Sequence, residues 1–414
     1  MGEVEQLAMS PETSPEPDNG PGTGTPGPGG WRTWPQSART WFVTTGRAPM
    51  LAWFGPHAVL TVIMLGILDR AKMGPSAALR HWDGNWYINI AQSGYIHKLS
   101  VRPDGTPHLM NIAFFPLYPY LMRGVHLVTG VPVAYAGVFV SFVAGLVAVV
   151  GIYYLLKPYI GERAAIFACL LWGVVPPAFI ESMVYTEALF TALCVWAMYA
   201  LIREKWLTVA GLTILAGLTR STVTMILPVV CFAALLAIVK RRGGWRAWVC
   251  LFTAPLGLLA FLGFLAQRFH RLDAWFFAQT APGWQSSFDF GANTFDVLKG
   301  LFSNLLHTTS WLPFLIATII LIPAVVITVL LVRQRKLPWQ LVAWTVVTLV
   351  VALTTSGTYG AKPRFLLPAV ALLAIPATML PKASRNTRWA AIGALVILGA
   401  CNGAYFLNFA HFPP

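Results

Sequence analysis

An aspartate set among aromatic rings is the first feature of this chain that can do chemistry. Asp83 stands in His81-Trp82-Asp83-Gly84-Asn85-Trp86-Tyr87, followed closely by Ala91 to Tyr95. A carboxylate can take the proton of an attacking hydroxyl. Aromatic faces suit the C–H faces of a sugar, and Asn85 offers hydrogen bonds to its hydroxyls. On a helix, Trp82 with Trp86 and Asp83 with Tyr87 form two adjacent stripes. The competing role for Asp83 is to cap a helix that starts near Gly84. Arg220, in Leu218-Thr219-Arg220-Ser221, has apolar segments on both sides and no acidic neighbour. A guanidinium near hydrocarbon is costly unless it meets an anion, and its fork matches two phosphate oxygens; the alternative is a snorkelling side chain that marks the membrane edge. Lys362 and Arg364 flank Pro363, which stiffens the turn, and they are either phosphate ligands or ordinary flanking charges. Glu181 and Glu187, in Glu181-Ser182-Met183-Val184-Tyr185-Thr186-Glu187, either touch substrate or pair with Arg220. Carboxylates beside fixed cations suit a phosphate-bearing donor and an attacking hydroxyl.

The rest of the chain is composed to hold these groups in a membrane. Of 414 residues 57% are hydrophobic and only 11% charged, against about 25% charged in soluble domains. Apolar runs long enough for bilayer-spanning helices recur from Met50 onward. The expected fold is all-α and polytopic. The formal charge of +14 is explained by basic residues clustered in short loops, as the positive-inside rule expects, so a nucleic-acid partner is not implied. The five cysteines, Cys169, Cys194, Cys231, Cys250 and Cys401, lie inside apolar runs without metal-binding spacing. The histidines His81, His97, His108 and His126 form no compact metal motif either, so no metal and no cofactor are expected.

Taken in order, residues 1–30 are too rich in Pro, Gly, Ser, Thr and Glu to bury a core and read as a disordered tail. Residues 31–49 mix Arg32, Arg39 and Arg47 with Trp31, Trp34, Trp41 and Phe42, as either an interfacial cytoplasmic anchor or a basic flank would. Residues 50–414 form the transmembrane domain. Its spans are Leu51–Leu68, Val133–Leu156, Ala164–Ile180, Val184–Ile202, Leu207–Leu218, Val223–Val239, Val249–Ala266, Ser310–Val332, Leu337–Thr354, Leu366–Leu380 and Trp389–Leu407, about eleven crossings, several of them short for a bilayer. Residues 69–132 and 268–309 are two outer loops. The segment Leu117–Thr129 is read as an interfacial helix of the first loop. Were it to cross, the basic loops around Lys157, Arg203, Lys240–Arg246, Arg333–Lys336 and Lys382–Arg388 would fall outside. With it left uncrossed, the N-terminus and those loops share the cytoplasm, while Asp83, Glu181, Glu187, Arg220, Lys362 and Arg364 gather on the outer face. No inverted pair of broken helices of the transporter kind is evident. A transporter or lipid flippase would instead place acids near mid-bilayer.

Several of these stretches resemble the PIG-V-like mannosyltransferases. The Trp82-Asp83 stretch with Ala91 to Tyr95 resembles that family's opening motif, and Phe114-Phe115-Pro116-Leu117-Tyr118-Pro119 its "FFPLYP". Tyr185-Thr186-Glu187-Ala188-Leu189-Phe190, Arg220-Ser221 and Arg364-Phe365 resemble its later elements, in the same order over about Leu51 to Pro381. The resemblance implies a GT-C fold with its site on the outer face. It implies transfer of mannose from a polyprenyl- or dolichyl-phosphate carrier to a glycan or glycolipid, with inversion and Asp83 as the single base. Arg220, Lys362 and Arg364 would hold the donor phosphate, and Trp82, Asn85, Trp86, Tyr87, Glu181 and Glu187 the sugar or acceptor. Another lipid-linked sugar, such as arabinose or glucose, fits the same residues. Membrane lipids are the remaining partners, and a bacterial plasma membrane is the expected location.

Overall fold

The computed structural model describes residues 46–304, 312–357 and 359–408. The tail 1–30, most of segment 31–49, residues 305–309 of the second outer loop and the first residues of the span expected from Ser310 lie outside that description. Apolar sequence of helical length gives helices throughout. In order they are α1 Arg47–Arg70, α2 Pro75–Leu79, α3 Asp83–Ser93, α4 Leu117–Thr129, α5 Val133–Ile160, α6 Glu162–Trp172, α7 Glu187–Ile202, α8 Trp206–Gly217 and α9 Leu227–Val239. There follow α10 Gly244–Thr253, α11 Leu256–Phe269, α12 Ala274–Gln279, α13 Ala292–Asn304, α14 Leu312–Gln334, α15 Trp339–Thr354, α16 Ala374–Met379 and α17 Arg385–Asn408.

Five helical stretches are long and apolar enough to cross a membrane: α1, α5, the run α10–α11, α14 and α17. Four shorter apolar helices, α7, α8, α9 and α15, lie between them. Two further segments are not straight. α6 turns by 75° into Pro176–Ser182, and Tyr359–Leu366 turns by 79° into Val370–Lys382. Pro176 and Pro177 lack the N–H that would continue α6 and force the preceding residue out of helical backbone. These eleven segments fall where the apolar runs were read. The chain is a polytopic α-helical membrane protein.

Two cores organise it. The larger joins α1, α5, α6, α7, α8 and α17 through side chains such as Trp53, Leu60, Trp172 and Phe190. The smaller folds residues 69–132 onto the bundle, burying Tyr87, Tyr95, Ile112, Phe115 and Tyr118 against Val184 and Phe261. The Phe114–Pro119 stretch therefore serves packing: Tyr118 donates its hydroxyl to Gly137 O at 2.9 Å, and Leu117 N–H binds Leu218 O at 2.9 Å. α4 has 13 residues and is not among the long or the shorter apolar helices that fall on the expected spans. Its first turn is tied to Leu218 by Leu117 and to Gly137 of α5 by Tyr118.

Small residues set the closest helix approach. α8 and α11 cross at Gly217 and Gly257, where a Cβ on Gly217 would come within 2.6 Å of Leu258 N and one on Gly257 would overlap Ile214 O. Close backbone approach of this kind is how membrane helices gain packing. Gly257→Ala should therefore lower stability by about 1–3 kcal/mol through overpacking. Gly263→Ala, in the same helix but with open space around it, should lower nothing. Thermal unfolding in one detergent decides this, and equal midpoints for the two variants would contradict the crossing.

Candidate active site

Four separate stretches meet at one end of the bundle. α3 begins at Asp83, directly after Trp82, whose backbone has φ +54° and ψ −118°. Gly84 lets that turn lie against residue Val184, since a Cβ there would sit 3.3 Å from Val184 O. Val184 N–H in turn binds Leu79 O at 2.9 Å, and Asp83 N–H donates to the Tyr185 hydroxyl at 3.3 Å. The connection 183–186 is thus stitched to the start of α3. The turn carrying Arg220 is fixed from the other side by the Leu117–Leu218 bond.

The charges form an alternating row. Arg364 Nη1 donates to Asp83 Oδ2 at 2.8 Å, and Arg364 Nε lies 3.8 Å from Glu187 Oε1. Glu187 Oε1 is 2.5 Å from Arg220 Nη1. Arg220 also donates to Thr186 Oγ1 at 2.7 Å and to Thr222 Oγ1 at 3.2 Å, and Thr186 shares a hydrogen bond with the Tyr87 hydroxyl. The four charged side chains are 3–13% exposed, so each depends on its neighbours for compensation. The helix-cap role for Asp83 is overturned, because the N-cap position falls on Trp82 and the Asp83 carboxylate goes to Arg364. The snorkelling role for Arg220 is overturned likewise, because its guanidinium is held inward by Glu187 and Thr186.

A cavity of about 520 Å³ opens on this row. Asp83, Tyr87, Arg220, Lys362 and Arg364 line it, together with hydroxyls such as Ser221, Thr222 and Thr355 and rings such as Trp275, Trp284 and Phe365. Lys362 is buried and donates to Thr294 Oγ1 at 2.7 Å and to Thr355 O at 2.8 Å. The remaining sequence candidates lie off the wall. Trp82 packs into the larger core with its indole N–H on Phe406 O, Asn85 is exposed, and Trp86 stacks behind Phe114. Glu181 departs furthest from expectation. It does not join the charged row but lies in the bent arm against α1, where Trp53 donates to it at 3.0 Å and Ser182 lies beside Thr61 and His57. The bend after α6 carries it there, and the sequence gives no measure of that bend. Thr186 and Tyr185, which orient Arg220 and Asp83, were missed as site residues although they sit in the motif next to Glu187.

The sequence profile of the dolichyl-phosphate-mannose-protein mannosyltransferase family matches residues 113–266, a stretch that includes Thr186, Glu187 and Arg220 but neither Asp83 nor Arg364. No curated protein matches the chain by sequence. Among solved structures, ArnT from Cupriavidus metallidurans, apo or bound to undecaprenyl phosphate, is 15% identical with a TM-score of 0.48 over 88% of this chain and 64% of that one. The Archaeoglobus fulgidus oligosaccharyltransferase in the apo form is 12% identical with a TM-score of 0.44 over 86% of this chain and 56% of that one. AglB from the same organism, with an inhibitory peptide and a dolichol-phosphate, is 14% identical with a TM-score of 0.38 over 87% and 57%. The chain spans less than two thirds of the length of each.

The row of charges makes a clear stability prediction. Arg364→Ala strands buried Asp83 and should cost about 3–5 kcal/mol. Asp83→Asn keeps an oxygen for Arg364 to bond and should cost less. Thermal unfolding of the two variants measures the order, and a smaller loss for Arg364→Ala would show that the pair does not hold the site.

Proposed function

We propose that the chain is a GT-C-type membrane glycosyltransferase. In this reading it moves a sugar from a polyprenyl- or dolichyl-phosphate carrier to a hydroxyl of a glycan or glycolipid. The observation that carries the proposal is that Asp83 and Arg220 line one cavity together with Lys362 and Arg364. The family profile over residues 113–266 supports a phospho-sugar donor. The motifs around Asp83, Phe114, Tyr185, Arg220 and Arg364 favour mannose and the PIG-V-like branch; arabinose or glucose fits the same residues.

The reaction balances on the groups present. The carrier is a phosphodiester with one negative charge, held by Arg220, Lys362 and Arg364. The acceptor oxygen attacks the anomeric carbon from the face opposite the phosphate, and the bond from that carbon to the phosphate oxygen breaks. The electron pair leaves with the phosphate, which becomes a dianion, and the configuration inverts. Asp83 receives the hydroxyl proton. Asp83 loses a charge as the phosphate gains one, so the total charge beside Arg364 and Arg220 is unchanged, and Arg364 needs only to shift its bonds from carboxylate to phosphate. Guanidinium and ammonium groups stabilise the departing charge without a metal or cofactor.

The basic runs around Lys157, Arg203, Lys240–Arg246, Arg333–Lys336 and Lys382–Arg388 follow or precede spans at the end of the bundle away from this cavity. By the positive-inside rule they support a cytoplasmic N-terminus and an outward-facing site; a bacterial plasma membrane is the location this reading proposes. One runner-up has specific support. The two bent segments and the buried acid Glu181 packed against α1 are features a transporter or flippase would also carry.

Purified protein in liposomes, given polyprenyl-phosphate mannose and candidate acceptors, separates these readings. Asp83→Asn should lower transfer by about 10²–10⁴-fold, the usual worth of a positioned base, while still binding the carrier. Full transfer by Asp83→Asn would remove Asp83 as the base. Arg220→Ala should lose carrier binding, and unaltered binding would remove Arg220 from the phosphate site. Movement of the lipid across the bilayer without any sugar transfer would favour the transporter.

A further inference from the structure

The cavity has a second wall to which the transfer chemistry gives no task. It is formed by the second outer loop, which contributes Trp284, Gln279 and Ser286. Trp284 meets Phe114 edge-on at 5.6 Å and Trp86 at 6.0 Å, and Trp86 stacks on Phe114 at 6.0 Å. Phe114 also touches Tyr87, whose hydroxyl bonds Thr186 beside Arg220. Two ring contacts therefore lead from the charged row to Trp284.

The loop is held firmly in place. Ser356 N–H donates to Ser287 O at 2.7 Å, Ser287 N–H donates to Ser356 Oγ at 2.9 Å, and Ser356 hydroxyl donates to Gln285 O at 2.9 Å. Gly357, at φ +99°, approaches so closely that a Cβ would lie 3.0 Å from Trp284 O. Among the described residues the Gln279 amide, the Ser286 hydroxyl and the Trp284 indole N–H make no side-chain hydrogen bond. The wall thus offers an aromatic surface edged by neutral donors and acceptors, and none of these three side chains carries a charge. A sugar ring matches that pattern, with apolar C–H groups on its face and hydroxyls at its rim. An anionic headgroup would need cations, and those lining this cavity, Arg220, Lys362 and Arg364, are assigned to the donor phosphate in the reading above.

We propose that this wall is the acceptor subsite and that the acceptor presents a saccharide ring there, over Trp284 and within reach of Gln279 and Ser286. The inference rests on the donor reading above: a carrier phosphate held by Arg220, Lys362 and Arg364 leaves the uncharged wall to the acceptor. It moves the sugar platform from Trp86, which lies behind, to Trp284.

The test uses the full chain in lipid nanodiscs with methyl α-mannopyranoside, methyl α-glucopyranoside and an α-mannobioside as soluble probes. Saturation-transfer NMR should show transfer to ring protons of at least one saccharide with the wild-type protein. Trp284→Ala should abolish it, Trp284→Phe should restore part of it, and Trp245→Ala, in the exposed first turn of α10, should leave it intact. A wild-type signal in Trp284→Ala overturns the subsite. So does the absence of signal from every saccharide, or a Ser/Thr-containing peptide that binds through Trp284 in their place. Retention of polyprenyl phosphate by the same discs is scored separately. It should fall with Arg220→Ala and not with Trp284→Ala, so a failure of the donor reading is distinguishable from a failure of the subsite.

Discussion

Everything at the candidate site depends on one constraint: four buried charges must be present together or not at all. Asp83, Arg364, Glu187 and Arg220 come from α3, the segment after α15, the start of α7 and the turn after α8. Each charge alone would be expensive in an apolar protein, and removing one leaves another unpaired. The row has no net charge, yet it places two guanidinium groups and a carboxylate on a cavity wall. A site that must recognise an anion and also take up a proton needs both kinds of group. Alternation is the way to keep both within a membrane bundle.

The row also explains an unfavourable piece of backbone. Trp82 occupies positive φ, which bulky residues avoid and which costs on the order of 1–3 kcal/mol. Its indole bonds Phe406 O in the last helix, Asp83 N–H is taken by Tyr185, and Gly84 allows contact with Val184. These contacts outweigh the strain and turn the first residue of α3 toward Arg364. Asp83 is therefore placed by its neighbours' packing, and helix capping has no part in it.

The sequence was informative where length and alternation carry the information. Apolar runs locate the spans, and counting crossings brings Asp83, Arg220 and Arg364 to one end from the sequence alone. It was silent where bends and long-range pairing decide. Asp83 and Arg364 are 281 residues apart, and no local pattern links them. Glu181 sits six residues before Glu187 in the chain, yet the bend after α6 puts it beside Trp53 while Glu187 joins the row. Hydropathy reports how far an apolar segment extends and says nothing of a 75° turn within it, even with Pro176 and Pro177 marking the place. Trp86 was legible as an aromatic near the acid. That Trp284 stands in front of it depends on a loop held by Ser356 and Gly357, which only the folded chain brings together.

The ion pair between Asp83 and Arg364 looks at first like an obstacle to a base, since a carboxylate already paired has less reason to accept a proton. In the proposed reaction the objection turns on timing. As the proton reaches Asp83, a new negative charge forms on the phosphate within the same cationic set, so Arg364 exchanges one anion for another and is never left alone. Glu187 holds Arg220 and stays beside Arg364 during that exchange, which limits how far either guanidinium must move. The work of reorganising charges is then small, which is the condition under which fixed groups lower a barrier most effectively. Proton uptake and phosphate departure are coupled through a residue that touches neither the acceptor oxygen nor the carbon being transferred. By that argument Arg364 belongs to the proposed chemistry as much as Asp83 does.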